Sequence, residues 1–139
     1  TGSPHVVIES PVVEEVDVES IGREIRLLET VFPVGTNVNF VQPIGPNTLK
    51  LRTYERGVEA ETLACGTGAV ASAVVFSSLH HMKSTVTLRV RSGEDLILYF
   101  ERHDESFVNI QLEGSAHFLF SGKVLYDTTR QAVADSFVS

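Results

Sequence analysis

The single cysteine of this 139-residue sequence stands at the start of a run of small apolar residues. Cys65 is followed by Gly66-Thr67-Gly68, and the next residues leave almost no polar face, so the pattern predicts a buried helix over residues 67–79. The first N–H groups of a helix have no partner within it, and with the helix dipole they stabilise a negative charge. Two anions suit this place: a thiolate on Cys65 and a substrate group such as a carboxylate.

Two less specific interpretations fit the same residues. A lone cysteine is most often a small buried hydrophobe, and Gly-Thr-Gly is common as a plain turn. The case for chemistry depends on a combination, because a charged cluster, Tyr54-Glu55-Arg56-Gly57, lies a few residues upstream of the helix start. A strand over residues 49–55 would carry Glu55 and Arg56 toward Cys65.

The segment Y-E-R-G-V-E-A-E-T-L-A-C-G-T-G-A resembles an active-site motif of the diaminopimelate epimerases, which are cofactor-independent amino-acid epimerases. Three further segments agree in the same order: G-S-P-H at 2–5, F-P-V-G-T-N-V-N-F-V at 32–41 and L-E-G-S-A-H-F-L-F-S-G at 112–122. They resemble only the C-terminal half of such an enzyme, the lobe that carries its second active-site cysteine. The resemblance implies an isomerase that acts on diaminopimelate, needs no cofactor, and serves lysine and peptidoglycan-precursor biosynthesis.

Three residues match catalytic positions of that family. Cys65 matches a catalytic thiol, Glu55 lies near it in the family, and His5 matches a histidine that assists proton transfer. From the residues alone, surface pairing explains Glu55 and a structural hydrogen bond explains His5. Inverting a carbon without a cofactor requires a base on one face and an acid on the other, which a thiolate–thiol pair provides. This chain holds one thiol, so the resemblance implies a partner thiol in an N-terminal lobe absent from these residues.

Other positions match residues that bind the substrate in the family: Ser3, Asn37, Glu55, Arg56, Gly66 and Thr67. The Glu-Arg pair would hold the amino and carboxylate ends, because a guanidinium can bind a carboxylate with two hydrogen bonds. The family usually has Asn at position 3, and Ser is shorter and lacks the carbonyl acceptor, so a Ser3 contact would be made through a water. By the same resemblance Asn37 binds substrate and Asn39 does not. From the residues alone, both Asn side chains satisfy backbone groups or bracket a turn.

The pattern and the resemblance both indicate an α+β fold, with a mixed, mainly antiparallel sheet curled into a barrel around the apolar helix. Residues 36–41 alternate polar and apolar, as a half-buried strand does, and Asp17 can cap a short helix. We assign residues 1–126 to one lobe and residues 127–139 to a tail, either exposed or disordered. The expected elements are helices over 18–28 and 67–79 and strands over 6–8, 36–41, 49–55, 86–91, 95–100, 107–112 and 116–126.

Composition argues against several other classes of protein. A formal charge of −7 disfavours nucleic-acid binding, which needs a basic patch, and no run of about 18 apolar residues predicts a membrane span. One cysteine excludes an internal disulfide and is consistent with a cytoplasmic location. We expect no metal, because His80, His81 and His117 lack further ligands at useful spacing. Because the sequence begins with Thr1 rather than Met, we expect it to belong to a longer protein.

Two other functional hypotheses stay open at this point. Proline or hydroxyproline racemases and phenazine-type isomerases share the two-lobed architecture, so this chain could be a lobe of one of them. It could instead be a non-catalytic folding or dimerisation domain. A homodimer is compatible with each hypothesis. Under the epimerase hypothesis, the chain by itself is expected to be inactive because it holds half of the site.

Overall fold

A seven-stranded mixed sheet curls around helix α2 in the computed structural model, which describes residues 1–133. In chain order the elements are β1 (His5–Glu9), a 3-10 turn (Val13–Glu15), α1 (Val18–Arg26), β2 (Asn37–Gly45), β3 (Thr48–Glu55), β4 (Ala60–Thr62), α2 (Gly66–His80), β5 (Val86–Arg89), β6 (Asp95–His103), β7 (Ser106–Glu113), β8 (Tyr126–Asp127) and β9 (Ala132–Val133). The sheet order is β1-β2-β3-β5-β6-β7, and β4 also pairs with β3. The β1–β2 and β3–β5 pairs are parallel, and the other four pairings in this sheet are antiparallel. The expected α+β fold is confirmed.

Helix α2 packs its small side chains against the inner face of the sheet. Ala69, Ala73 and Phe76 are at most 2% exposed and join a core formed with residues of β2, β3, β5 and β6. Small side chains let the helix backbone approach the strands, and the apolar surface that is removed from water stabilises the packing. This explains why a helix apolar on nearly all sides occurs here, over one residue more at each end than the sequence predicts.

Gly68 brings the first turn of α2 directly against β2. A Cβ atom at this position would overlap Oδ1 of Asn39 and would lie 3.3 Å from Sγ of Cys65. The glycine therefore permits a close approach between the helix start and a buried polar side chain of the sheet.

Helix α1 covers the other face of β2 and β3. The Asp17 carboxylate accepts a hydrogen bond of 3.1 Å from the Ser20 N–H, so the predicted cap is present. The helix ends at Arg26, two residues before the predicted end, and packs on Val38, Phe40 and Tyr54.

This second layer corrects one expectation about β2. Residues 37–41 are buried throughout, whereas the alternating pattern predicted a half-buried strand. Val38 and Phe40 of β2 face α1, and Asn39 lies against α2 instead of water. Alternation shows that two faces differ, but it does not show that the polar face is exposed.

The strand predicted over residues 116–126 is absent from the structure. Only its last residue, Tyr126, belongs to a strand, the two-residue β8 that pairs with β9. Phe118, Leu119 and Phe120 are each at least 83% exposed. Strand β7 is itself largely exposed, so a strand added beside it would bury little apolar surface. Part of the predicted tail, residues 134–139, lies outside the described residues.

A buried ion pair joins β3 to β4 and to the turn before α1. Arg52 binds both carboxylate oxygens of Glu61 at 2.7 Å, and their side chains are 10% and 7% exposed. The same guanidinium donates to the carbonyls of Val13, Glu14 and Val16. These bonds hold the end of β3, and hence Glu55, in a defined position.

We expect Arg52→Leu to lower the free energy of unfolding by about 3 kcal/mol, because it removes one partner of a buried pair together with the guanidinium bonds to three carbonyls. Urea denaturation measures this change. The control is Arg89→Leu, which breaks an ion pair with Asp95 at the surface, and its midpoint should stay close to that of the original chain. Equal losses in the two variants would contradict this account.

We expect Gly68→Ala to destabilise the chain by about 2 kcal/mol, because the new methyl group overlaps Asn39 in a packed interior. Gly122→Ala is the matched control, since no atom lies within 4 Å of its added Cβ. Thermal or urea unfolding of both variants tests the prediction. A Gly68→Ala chain as stable as the control would show that α2 does not press on β2 as described.

Candidate active site

Cys65 occupies the residue immediately before α2, with extended backbone angles (φ −133°, ψ 106°) and no side-chain bond that caps the helix. Its carbonyl accepts the first helical bond, 2.9 Å from the Ala69 nitrogen. The N–H groups of Gly66, Thr67 and Gly68 precede that bond and have no helical acceptor. Gly66 and Thr67 are exposed, although Cys65 itself is only 6% exposed. The helix start can therefore receive an anion from solvent beside a largely sheltered sulfur.

One hydroxyl group connects Cys65 to His5. His5 Nε2 lies 3.1 Å from Oγ1 of Thr67, which is 62 positions away in sequence. The same oxygen lies 3.6 Å from the Cys65 sulfur. The parallel pairing of β1 with β2 sets this position, because it places His5 opposite Asn37, two residues before Asn39. Two of the three residues matched to catalytic positions thus lie within a single hydrogen-bonded chain.

Asn39 contacts His5 from the interior side, a role that sequence reasoning did not assign to it. Its amide nitrogen lies 3.0 Å from His5 Nδ1 and 2.9 Å from the Val6 carbonyl oxygen. Its amide oxygen accepts a 3.0 Å bond from the Thr53 hydroxyl. Asn39 is fully buried. The one signal available in the sequence was an asparagine inside a strand, which goes against β propensity.

Glu55 and Arg56 lie at the end of β3, as predicted, and both are half-buried. Glu55 Oε2 accepts a 3.0 Å bond from the Thr62 hydroxyl, close to the start of α2 in sequence. The Arg56 guanidinium donates through Nη1 to the Val34 carbonyl at 2.6 Å, with a longer contact to Gly35. The charge of Arg56 is therefore anchored to the loop before β2.

Asn37 also makes its bonds to the backbone. Its Oδ1 accepts a 2.7 Å bond from the Arg56 N–H, and its amide nitrogen lies 3.4 Å from the Pro4 carbonyl. It thereby links the end of β3 to the segment before β1. Ser3 is half-buried, and its carbonyl accepts a bond from the Thr1 hydroxyl. Within residues 1–133, no hydrogen bond joins the Ser3 hydroxyl to the other candidate residues.

The surroundings of His5 favour its neutral form. Partial burial is the main cause that lowers the pKa of His5 below its ordinary 6.5, and the positive charges of the Thr1 amino group and of Arg56 act in the same direction. The negative charge of Glu55 opposes this shift without reversing it. An imidazole that is neutral near pH 7 can accept a proton or pass one on.

The histidines outside this site have separate surroundings. His80 Nε2 lies 3.4 Å from Glu9, and His117 Nε2 lies 3.5 Å from Glu94. Among residues 1–133, no three His, Cys, Asp or Glu side chains are grouped closely enough to hold a metal ion. In the same part of the chain, neither helix has the length and apolar character needed to cross a bilayer.

The chain is similar in sequence to diaminopimelate epimerases. The family model for diaminopimelate epimerase matches residues 1–118. The diaminopimelate epimerase of Aquifex aeolicus (strain VF5) is 49% identical over 126 residues, which are 89% of this chain and 44% of that protein. The diaminopimelate epimerase of Chlorobaculum tepidum is 43% identical over 125 residues, which are 89% of this chain and 48% of that protein. The chain thus spans less than half the length of these curated relatives.

A solved structure shares the fold. The phenazine biosynthesis protein of the PhzF family from Bacillus anthracis aligns with 74% of this chain and 32% of its own, with a TM-score of 0.55 and 16% identity. At that identity the likeness concerns the fold alone, and function must be argued from the site. The sequence matches carry the assignment: the chain belongs to the diaminopimelate epimerase family.

Proposed function

We propose that this chain is the C-terminal lobe of a diaminopimelate epimerase and supplies one of the two thiols that exchange a proton with the substrate. The observation that carries the proposal is the position of the Cys65 sulfur, at the head of α2 and one hydroxyl group away from His5. A structural cysteine needs neither an exposed helix start beside it nor a titratable partner.

The proposed reaction needs an acid and a base on opposite faces of the α-carbon. In one direction the Cys65 thiolate removes the α-proton, so an S–H bond forms as the C–H bond breaks. The electron pair spreads onto the adjacent carboxylate, and a thiol of the missing lobe protonates the opposite face and becomes a thiolate. In the reverse direction the two sulfur atoms exchange roles.

The start of α2 suits the substrate carboxylate. The N–H groups of Gly66 and Thr67, two exposed residues, can donate to its oxygens and stabilise the charge that develops on them during proton removal. Hydrogen-bond donors that are already fixed in place need no reorganisation during the reaction. This role requires only backbone groups, which the helix geometry itself positions.

Glu55, Arg56 and Asn37 are proposed to hold the rest of the substrate. A carboxylate at Glu55 can accept from an ammonium group, and it is steadied by Thr62. Among the described residues, Val34 and Gly35 engage only Nη1 of Arg56, so its other donors can face a carboxylate. Asn37 keeps the Arg56 backbone in place through its amide oxygen. We leave Ser3 as the weakest member of this set, since its short side chain must act through water to reach the same group.

The epimerase proposal has more support than the other hypotheses. Similarity to a phenazine biosynthesis protein is at the level of the fold, whereas the family match includes the Cys65 segment. A pure assembly domain gives no reason to bury Asn39 against His5, because burying an amide is unfavourable unless it is bonded. The proposed reaction places the protein in lysine biosynthesis, with a cytoplasmic location and no cofactor as further expectations.

Exchange of the α-hydrogen in D2O tests this proposal. We expect the isolated 139-residue chain to incorporate no deuterium into diaminopimelate, because it holds one of two thiols. A fusion of this chain to the remaining part of the Aquifex aeolicus relative should exchange the α-hydrogen and interconvert the LL and meso forms. In that fusion, Cys65→Ser should reduce kcat by at least about a thousandfold, as expected for loss of a group that transfers the proton.

The matched control is Ser78→Ala, which alters an exposed residue on the same helix and should leave kcat close to that of the unmodified fusion. Exchange catalysed by the isolated chain and lost in Cys65→Ser would contradict the half-site account. Activity of the fusion that is indifferent to Cys65 would remove the catalytic role altogether.

The lowered pKa of His5 predicts how stability depends on pH. The unfolded chain takes up the proton at a higher pH than the folded chain, so His5 favours folding above about 6.5 and this contribution is lost as the pH falls below that value. Unfolding free energies at pH 7.5 and pH 5.5 should therefore differ more in the original chain than in His5→Gln. Equal differences in the two proteins would show that folding does not disfavour the charged form of His5.

A further inference from the structure

The side-chain amide of Asn39 can adopt only one orientation in its surroundings. The Val6 carbonyl oxygen, 2.9 Å away, is purely an acceptor, so it must face the amide nitrogen. The Thr53 hydroxyl, 3.0 Å from the other end, can donate to the amide oxygen. The flipped orientation would set two oxygens against each other at Val6. The hydrogen-bond network therefore assigns which end of the amide faces which partner.

This orientation determines where His5 carries its proton. One N–H of the Asn39 amide goes to Val6, and the other is directed at His5 Nδ1, 3.0 Å away. A nitrogen that accepts this bond cannot itself hold a proton. The neutral imidazole must then be protonated on Nε2, since it carries one proton on one of its two nitrogens.

The proton on Nε2 determines which group donates in each of the hydrogen bonds between His5, Thr67 and Cys65. Nε2 donates to the Thr67 oxygen at 3.1 Å, which leaves the hydroxyl proton of Thr67 free to point at the Cys65 sulfur at 3.6 Å. Every bond then runs toward the sulfur, from Asn39 through His5 and Thr67. A thiolate at Cys65 is the acceptor that such a chain stabilises best. With the opposite tautomer, Thr67 would donate to His5 and would not donate to the sulfur.

Burial of Asn39 is otherwise hard to explain. It is fully buried in the middle of β2, where an apolar residue would avoid the unfavourable transfer of an amide out of water. Gly68 also leaves space for its oxygen, because any Cβ there would overlap it. The buried position of Asn39 and the space left by Gly68 both keep its amide within hydrogen-bond distance of His5.

We propose that Asn39 is a positioning residue that holds His5 in the Nε2-protonated form and so directs the Thr67 hydroxyl toward Cys65. The catalytic meaning of this role rests on the proposed function, but the assignment of the tautomer does not. Asn39 makes no hydrogen bond to the sulfur or to the helix-start N–H groups, so within the hydrogen-bonded chain its effect on Cys65 passes through His5.

Nitrogen-15 NMR of the histidine ring in the 139-residue chain tests this directly. At pH 8 we expect His5 to show a protonated Nε2 and an unprotonated Nδ1. Asn39→Asp replaces the N–H donor with an acceptor and should move the proton to Nδ1. The control is Asn37→Asp, which makes the same change of charge two residues earlier on the same strand. Because Asn37 bonds Arg56 and Pro4 rather than the ring, its variant should keep the proton on Nε2.

A proton on Nδ1 of His5 in the original chain would overturn the proposal, and this result needs no variant to fold. The same conclusion would follow if folded Asn39→Asp, checked by its amide spectrum, kept the Nε2 proton. A change of tautomer in both Asp variants would also overturn it, because charge alone would then be the cause.

The readout separates this inference from the proposed function. In the two-lobe fusion, Asn39→Asp should reduce kcat by at least about tenfold, as for other partners that orient a functional histidine. If the tautomers behave as expected and the unmodified fusion is inactive, the proposed epimerase function fails while the assignment of Asn39 stands. If the fusion is active and His5 is protonated on Nδ1, the assignment of Asn39 fails while the function stands.

Discussion

The structure depends on the close packing of the first turn of α2 against the side chain of Asn39. Gly68 makes this close approach possible. The approach in turn determines where Cys65 and the N–H groups of Gly66 and Thr67 lie relative to the strands of the sheet. The strand pairing then places His5 at the same level, since β1 lies parallel to β2 with His5 opposite Asn37. A helix start that lay farther from the sheet would separate the sulfur from the imidazole.

Burial on both faces makes the position of β2 rigid. Helix α2 and its core lie on one side, and α1 with Val38, Phe40 and Tyr54 lies on the other. A strand enclosed in this way cannot shift by one residue without moving every apolar side chain to the wrong face. The polar residues of β2 are therefore held in place by the apolar residues beside them. The buried Arg52–Glu61 ion pair holds the neighbouring strand β3 in position.

Much of the fold was predictable from local patterns. The apolar run after Cys65, the Asp17 cap and the hairpins from β5 to β7 all have signals within a few residues. The strand over 116–126 was predicted wrongly, because its apolar residues have no core beside them to cover. Local propensity does not reveal whether the neighbouring strand faces a core or solvent.

The site was predictable mainly through resemblance. Spacing alone does not bring His5 next to Thr67, because their contact depends on strand pairing and helix packing across most of the chain. The contact of Asn39 with His5 could not be predicted for the same reason. Its partners are Val6, Thr53 and His5, none of which lies near it in sequence. An asparagine in a strand signals an exception to propensity, but only the folded chain shows which groups it bonds.

The rate of Cys65 alkylation by iodoacetamide tests the central claim most directly, because it asks whether the sulfur is reached in the folded chain. The account predicts a rate that does not change at low urea and that falls in Thr67→Val, which removes the hydroxyl directed at the sulfur. A rate that rises with urea in step with global unfolding, equal in both proteins, would mean that the sulfur is enclosed in the apolar interior. That result would contradict the placement of a reactive thiol at the start of α2.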